Sequence, residues 1–297
     1  MSTRLFSSNA PVVWTRGEGC AELADLLSPV PAVRADGDLV RACVRARADA
    51  AVSRRLSSSF DLVPQIVPDG VDLDASGTIV AAVSGGPHSP LAAAVAARLG
   101  AVTGIPASMV CAYRDEESQG AAVSLIQDLY QQVPDIEYRL VEAEDAQSLT
   151  SQLPGGATLV LGAPGGSWLQ RTFFGQGAKL IQSAPAGAIV VRSAPRRVFQ
   201  EMDEPVYVSP MHDAIDLLRL HPDGRFAVAD AGKLVGVVRR DALELADPGV
   251  PVSELMEDPH SVDVTDALED CVELWKEFAP DPMPVTDDGA LVGALTL

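Results

Sequence analysis

Residues 78–86 read TIVAAVSGG, and residues 87–100, PHSPLAAAVAARLG, run straight on into a helical pattern. Thr78 to Val83 is an unbroken β-branched and apolar run, which suits a strand buried on both faces. Ser84, Gly85 and Gly86 then break the chain. Ser89 can cap a helix with Pro90 at its first position. Leu91, Val95 and Leu99 line one face, and Gly100 is expected to stop it. The same alternation extends outward. Strands are predicted over 107–112, 137–141, 158–161 and 189–191. Helices are predicted over 120–131, 146–152 and 178–183, the first with Val123, Ile126, Leu129 and Tyr130 inward. Continuous apolar strands separated by helices predict an α/β fold, a mostly parallel sheet covered on both faces. Such sheets bind ligands at the carboxyl ends of their strands.

One loop stands out for its chemistry. Residues 162–181 read GAPGGSWLQRTFFGQGAKLI, with Gly162 directly after a strand, Gly165 three residues on and Gly175 ten beyond that. Backbone without Cβ atoms can bring N–H groups close to a phosphate. The loop holds no carboxylate, and Arg171 and Lys179 add positive charge. It is not a Walker loop, because no Gly-Lys-Ser/Thr closes it, and a tight structural turn explains the glycines equally well.

These residues carry a resemblance over about 76–193 to the universal stress protein family. The family signature is Gly, two residues, Gly, nine residues, Gly, then Ser or Thr. Gly162, Gly165 and Gly175 match it, and AKLIQSAPAGAIVVR (178–192) resembles the family ending. The resemblance implies a parallel-sheet fold of the adenine nucleotide alpha hydrolase-like kind. It also implies a site for ATP or another adenine nucleotide, with magnesium accompanying ATP, built from Ser84, Gly85, Gly162, Gly165, Gly175 and Gln176. Two positions depart from the family. Ser84 stands where an Asp is usual, and Gln176 where Ser or Thr is usual. Losing a charge-assisted contact weakens binding by about 1–3 kcal/mol. His88, just past the glycine pair, reads as a solvated helix-start residue. The last strand, 187–192, is expected to pair across an axis in a homodimer, as members of this family often do.

Residues 1–75 are read as an uncertain α/β or helical extension. Val12 to Trp14 suits a short strand, and 18–27 a helix. Asp38 can cap a second helix running to about Leu56, its stripe made of Leu39, Cys43, Val44, Ala48, Ala51 and Val52. Arg41, Arg45, Arg47, Arg54 and Arg55 would then be exposed as a solvated basic face. Pro68, Asp69 and Gly70 suggest a soft boundary before the central domain, taken as 76–197.

Charge marks the next boundary. Residues 198–297 hold 6 basic and 22 acidic residues, while the rest of the chain holds 16 and 19. A degenerate repeat fills this segment. VYVSPMHDAIDLLRL (206–220) and FAVADAGKLVGVV (226–238) correspond to SVDVTDALEDCVELW (261–275) and MPVTDDGALVGAL (283–295). Each copy reads as strand, capped helix, strand, tight turn at Gly232 or Gly289, strand. Ser209 and Thr265 are the expected caps. The second helix should bury Leu268, Val272 and Trp275, and the copies should pack sheet against sheet. Residues 198–297 resemble a tandem CBS-domain pair, an α+β regulatory module that commonly binds adenosine nucleotides. VFQEMDEP (198–205) and VSELMEDP (252–259) resemble the lead-in to each copy. The ligand residues are poorly kept. Arg239 replaces the family Thr, Ala242 stands at the position of the ribose-holding Asp, and Arg239 and Arg240 read as salt-bridged to the acidic surface.

The 297 residues sum to a net charge of -19, against a generic nucleic-acid binder. No apolar stretch approaches membrane-spanning length, and no secretory signal opens the sequence. Cys20, Cys43, Cys111 and Cys271 are scattered and read as buried apolar residues of a cytoplasmic protein. No catalytic grouping or metal-ligand pattern stands out. The sequence thus predicts a non-catalytic, stress-related sensor of adenine nucleotides that forms a homodimer or meets another protein. The alternatives are a nucleotide-independent scaffold with decayed sites, and a weak ATP hydrolase.

Overall fold

In the computed structural model, which describes residues 6, 9–134, 136–163, 181, 184–220, 225–278 and 282–296, Thr78–Val83 forms a strand (β5) whose residues from Ile79 onward are buried. It sits inside a nine-stranded sheet. β1 (Val12–Trp14), β2 (Val33–Arg34), β3 (Ala50–Val52) and β4 (Gln65–Asp69) come from the first 75 residues. β6 (Ala107–Tyr113), β7 (Glu137–Glu142), β8 (Ala157–Gly162) and β9 (Ala188–Arg192) follow β5. The order is β2-β1-β3-β4-β9-β8-β5-β6-β7. Every neighbouring pair is parallel except β4 and β9, which run antiparallel with Ile66 opposite Val191. The chain divides into two compact units, Met1–Ala194 and Pro195–Leu297.

The antiparallel pair changes two expectations. The first 75 residues are not an appendage, because their strands continue the same sheet. And β9 has no free edge to offer a second copy, because β4 of the same chain occupies it. The turn after β4 is knitted in as well. Asp72 N–H donates to the Ala186 carbonyl (3.1 Å), and a Cβ on Gly187 would lie 2.2 Å from the Gly70 carbonyl oxygen. With φ at 84°, Gly187 admits no other residue without strain.

Helices in unit 1 are α1 (Cys20–Leu27), α2 (Leu39–Ala46), α3 (Ser89–Thr103), α4 (Glu116–Gln132) and α5 (Ala146–Ser151). α2 starts at Asp38 as expected, the carboxylate accepting from Val40 N–H, but it ends at Arg47 in the left-handed conformation. Ala50 to Val52, read as helix, forms a fully buried strand between β1 and β4. Pairing on both sides overrides the helical preference of alanine. Gly100 does not stop α3, which continues to Thr103 and ends at Gly104. A Cβ on Gly100 would lie 2.6 Å from Ala107 Cβ, so the glycine lets the helix settle on the start of β6. In α4, Ala122, Ile126 and Leu129 are buried, whereas Val123 and Tyr130 are exposed.

Unit 2 holds one six-stranded sheet, β10-β11-β12-β15-β14-β13. The first copy supplies β10 (Tyr207–Val208), β11 (Phe226–Asp230) and β12 (Lys233–Val238); the second supplies β13 (Val262–Asp263), β14 (Met283–Asp287) and β15 (Ala290–Leu295). The predicted strand, helix, strand, turn, strand layout is present in both. The copies do not stack sheet on sheet as expected. They join edge to edge through β12 and β15, where Leu234 N–H donates to the Gly289 carbonyl and Leu291 N–H to the Gly232 carbonyl. The hairpin turns, Ala231-Gly232 and Asp288-Gly289, both have positive φ at two successive residues, the requirement of a tight turn that follows strand twist.

The helices of unit 2 are α6 (Val198–Glu201), α7 (Ala214–Leu220), α8 (Arg240–Glu244) and α9 (Leu268–Phe278). Asp213 rather than Ser209 caps α7, accepting from Ile215 N–H at 2.9 Å. Thr265 does not cap α9; its hydroxyl donates to Asp263 Oδ1 (2.6 Å). Leu268 and Cys271 are buried, and Val272 is exposed. The lead-ins are exchanged between copies. Val198 N–H donates to the Asp266 carbonyl and Phe199 N–H to the Val264 carbonyl, so the first lead-in lies on the second copy. Val252 N–H donates to the His212 carbonyl and Ser253 N–H to the Pro210 carbonyl, so the second lies on the first. Arg196 belongs here too, its carbonyl accepting from Leu268 N–H.

Candidate functional site

The strand order leaves a switch point in the middle of the unit 1 sheet. From β5 the chain winds outward to β6 and β7, and from β8 it winds the opposite way to β9. β5 and β8 are neighbours, so the two connections diverge and leave a crevice outside their carboxyl ends. Ala82 pairs with Leu161, which brings the next residues, Val83-Ser84 and Gly162-Ala163, to this edge side by side. Ser84, Gly85 and Gly162 of the expected site are thus together. Gly165, Gly175 and Gln176 lie outside the described residues.

The β5–α3 loop is well determined by its own bonds. Ser84 is buried and its N–H donates to Ser89 Oγ (3.2 Å). Ser89 is therefore a strut inside the first turn rather than the cap. Gly85 takes φ 75°, which turns the backbone sharply after the strand. The N–H groups of Gly85 and Gly86 make no hydrogen bond among the described residues. No carboxylate lies in residues 84–89. Unused backbone donors beside a fifteen-residue helix start fit an anionic group such as a phosphate.

His88 is not the solvated residue the sequence suggested. It is half-buried, and Ser193 N–H, just past β9, donates to its Nδ1 (3.1 Å). Ser193 Oγ lies 2.7 Å from the same nitrogen and 2.9 Å from the Pro87 carbonyl oxygen. Burial, and then the Arg192 charge, push the imidazole pKa below its ordinary value. Accepting from an amide N–H requires a bare Nδ1, so the ring is neutral with its proton on Nε2. The serine hydroxyl donates to the Pro87 carbonyl, which does not make it a nucleophile poised for attack. The separation of 105 positions between His88 and Ser193 hides this contact from any local reading.

Unit 2 offers less open backbone. Gly236 and Gly293 are filled by methionine side chains, Met256 and Met202 respectively. Arg239 is ion-paired to Asp241 (3.1 Å) and Glu257 (3.3 Å), and Arg240 to Glu244 (2.7 Å), as the salt-bridge reading expected. Ala242 N–H donates to Asp241 Oδ1. A surface groove of about 740 Å³ lies elsewhere, at the β7 edge of unit 1, between Gln127, Tyr130, Tyr138 and Glu137. Its rings meet edge to face with centroids 5.9 Å apart. All four cysteines are free and buried, and burial lifts Cys43 to about 12 and Cys111 to about 11, so neither is a reactive thiolate. Among the described residues, no group of His, Cys, Asp and Glu has the geometry of a metal site, and no helix is long and apolar enough to cross a membrane.

No protein-family model matches the sequence, and no curated protein matches it. The similar solved structures are CBS-domain proteins that overlap about a third of this chain. The cytosolic domain of the Mg2+ channel MgtE in complex with ATP is 27% identical over 34% of this chain and 45% of its own, with a TM-score of 0.31. This chain therefore spans less than half the length of that structure. CBSX2 in complex with AMP is 29% identical over 34% of this chain and 89% of its own, with a TM-score of 0.29. A CBS domain pair/ACT domain protein from Thermotoga maritima is 21% identical over the same shares, with a TM-score of 0.31.

Proposed function

We propose that this chain is a non-catalytic, stress-related regulatory protein that responds to an adenine nucleotide. The nucleotide phosphates would sit at the β5–β8 crevice, against Ser84, Gly85 and Gly162, with Gly165, Gly175 and Gln176 completing the loop and magnesium accompanying ATP. The observation that carries this reading is the pair of N–H groups at Gly85 and Gly86 that are unused among the described residues, near Gly162 at the switch point of the sheet. The universal-stress-protein-like glycine spacing supplies the ligand class. Unit 2, a CBS-like pair with exchanged lead-ins, would be the responsive module. A ligand that prefers one arrangement of the protein shifts the population toward it. Its output would pass to a second copy or to another protein.

A second reading has its own observation. Arg239 is already neutralised by Asp241 and Glu257, which supports a unit 2 that has given up its ligand and serves as a scaffold. Titration calorimetry of AMP, ADP and ATP, with and without magnesium, into the full chain separates the two. Binding at micromolar concentration that Gly165→Val abolishes supports the unit 1 site. Binding that survives Gly165→Val but changes with Arg239→Ser moves the nucleotide to unit 2. No heat up to millimolar nucleotide leaves the scaffold.

A further inference from the structure

We propose that unit 1 carries a second anion-binding site, at the carboxyl ends of β1 and β3, which takes a phosphate-bearing ligand through Arg16, Arg54 and Arg55. The argument begins with the winding of the first 75 residues. From β1 the chain goes to β2 on one side, and from β3 it goes to β4 on the other, while β1 and β3 are parallel neighbours with Trp14 opposite Val52. This is the same divergence seen at β5 and β8, so the N-terminal half has its own switch-point crevice.

The residues lining that crevice carry positive charge in an otherwise acidic chain. The β1–α1 loop brings Arg16, and the segment after β3 brings Arg54 and Arg55. The two segments touch. Thr15 N–H donates to the Val52 carbonyl (3.0 Å), and a Cβ on Gly17 would lie 3.3 Å from Arg54 Cβ. A Cβ at Gly17 would lie closer still to Cys20 Sγ, at 2.8 Å, so the glycine sits in a packed corner between α1 and the arginine-bearing segment. Burial raises the Cys20 thiol at the start of α1, and the charge of the exposed Arg54 pulls the other way, which puts that charge close to α1.

None of the three arginines makes an ion pair among the described residues, although the other arginines of this edge do. Arg34 is paired with Asp36 (3.1 Å) and lies over the Trp14 ring, and Arg41 is paired with Asp38 (3.8 Å). Glu18 is the carboxylate closest in sequence to Arg16, and Asp49 and Asp61 are the closest to Arg54 and Arg55; among the described residues none of them is ion-paired to the three. Arg16, Arg54 and Arg55 are exposed on two touching segments at the mouth of this crevice, and a multiply charged phosphate group matches the planar donors of arginine. The proposed nucleotide site at β5–β8 shares none of these residues.

The test uses the full chain, with sodium pyrophosphate and ATP as probes in titration calorimetry at low and moderate salt. Pyrophosphate is expected to bind, to weaken as salt rises, and to lose about tenfold or more in affinity in Arg54→Gln/Arg55→Gln. Arg16→Gln, in a different segment, should weaken it independently. ATP bound with the same dependence on Arg54 and Arg55, and more tightly than pyrophosphate, identifies a nucleotide as the phosphate source; equal binding identifies the polyphosphate itself. Pyrophosphate that fails to bind up to millimolar concentration, or that binds both variants as it binds the parent, overturns the proposal. Gly165→Val, which tests the β5–β8 site, should leave pyrophosphate binding here unchanged, so the two sites can fail separately.

Discussion

A Cβ built on Gly236 would lie 2.7 Å from the sulfur of Met256. The relationship recurs between Gly293 and Met202 at 2.6 Å. In each case the glycine belongs to the last strand of one copy and the methionine to the lead-in of the other. Paired backbone bonds flank both contacts, Glu257 with Val237 and Asp203 with Ala294. The local two-fold relation of unit 2 therefore extends beyond its strands to the packing of single atoms.

Gly236→Ala and Gly293→Ala should each destabilise unit 2, by about 1–3 kcal/mol, as overpacking does in a filled site. The methionine can swing aside, but the carbonyl oxygen of Glu257 or Asp203, 3.0 Å away in each case, cannot. Denaturant unfolding checks the value. Matching losses at the two positions are expected, and a loss at only one would break the equivalence.

Gly187→Ala should harm unit 1 more severely than either, since both the positive φ and the Gly70 carbonyl at 2.2 Å forbid the methyl group. The expected readout is a large fall in the unfolding midpoint of the full chain, together with loss of protection of the β4 and β9 amides in hydrogen exchange.

His88 should make stability depend on pH. Its folded pKa lies below the ordinary value of 6.5, so the unfolded chain takes up a proton first as pH falls. The contribution of neutral His88 is fully present above pH 6.5 and is lost as pH drops toward the folded value. Protonation puts a hydrogen on Nδ1, where Ser193 N–H now donates. Measured as a difference between parent and His88→Gln, the parent should lose relative stability between pH 7.5 and 5.5. An unchanged difference would remove the role assigned to this contact.

Arg239→Ser should change stability by less than about 1 kcal/mol, because its ion pairs are solvent-exposed. A larger loss in thermal unfolding would mean that the Asp241 and Glu257 pairs hold the second lead-in in place.

The strands that local sequence reveals are the ones buried on both faces. TIVAAV and TLVL have no polar alternation to confuse them, and no helix of that length would suit their flanks. Ala50-Ala51-Val52 is different. Three residues rich in alanine, next to a capped helix, look like its continuation until β1 and β4 claim them. Pro68 within β4 argued for a boundary, yet it lies opposite Ile189 in the antiparallel pair. The places of Ser84, just after β5, and Gly162, the last residue of β8, were legible because strand ends are marked by the sequence. The His88–Ser193 contact was not, since nothing local links the two residues. Nor could the repeat show the exchange of lead-ins, because a lead-in reads the same whichever copy it covers.

That exchange has a consequence for synthesis. The stretch from Arg196 to Asp203 leaves the ribosome first in unit 2, but its partners, from Val264 to Ala294, leave last. The earlier repeat in turn waits for residues 250–257. The first lead-in therefore stays uncovered until the second repeat is made, and a chain clipped between the repeats holds exposed, unfinished pieces rather than one sound half.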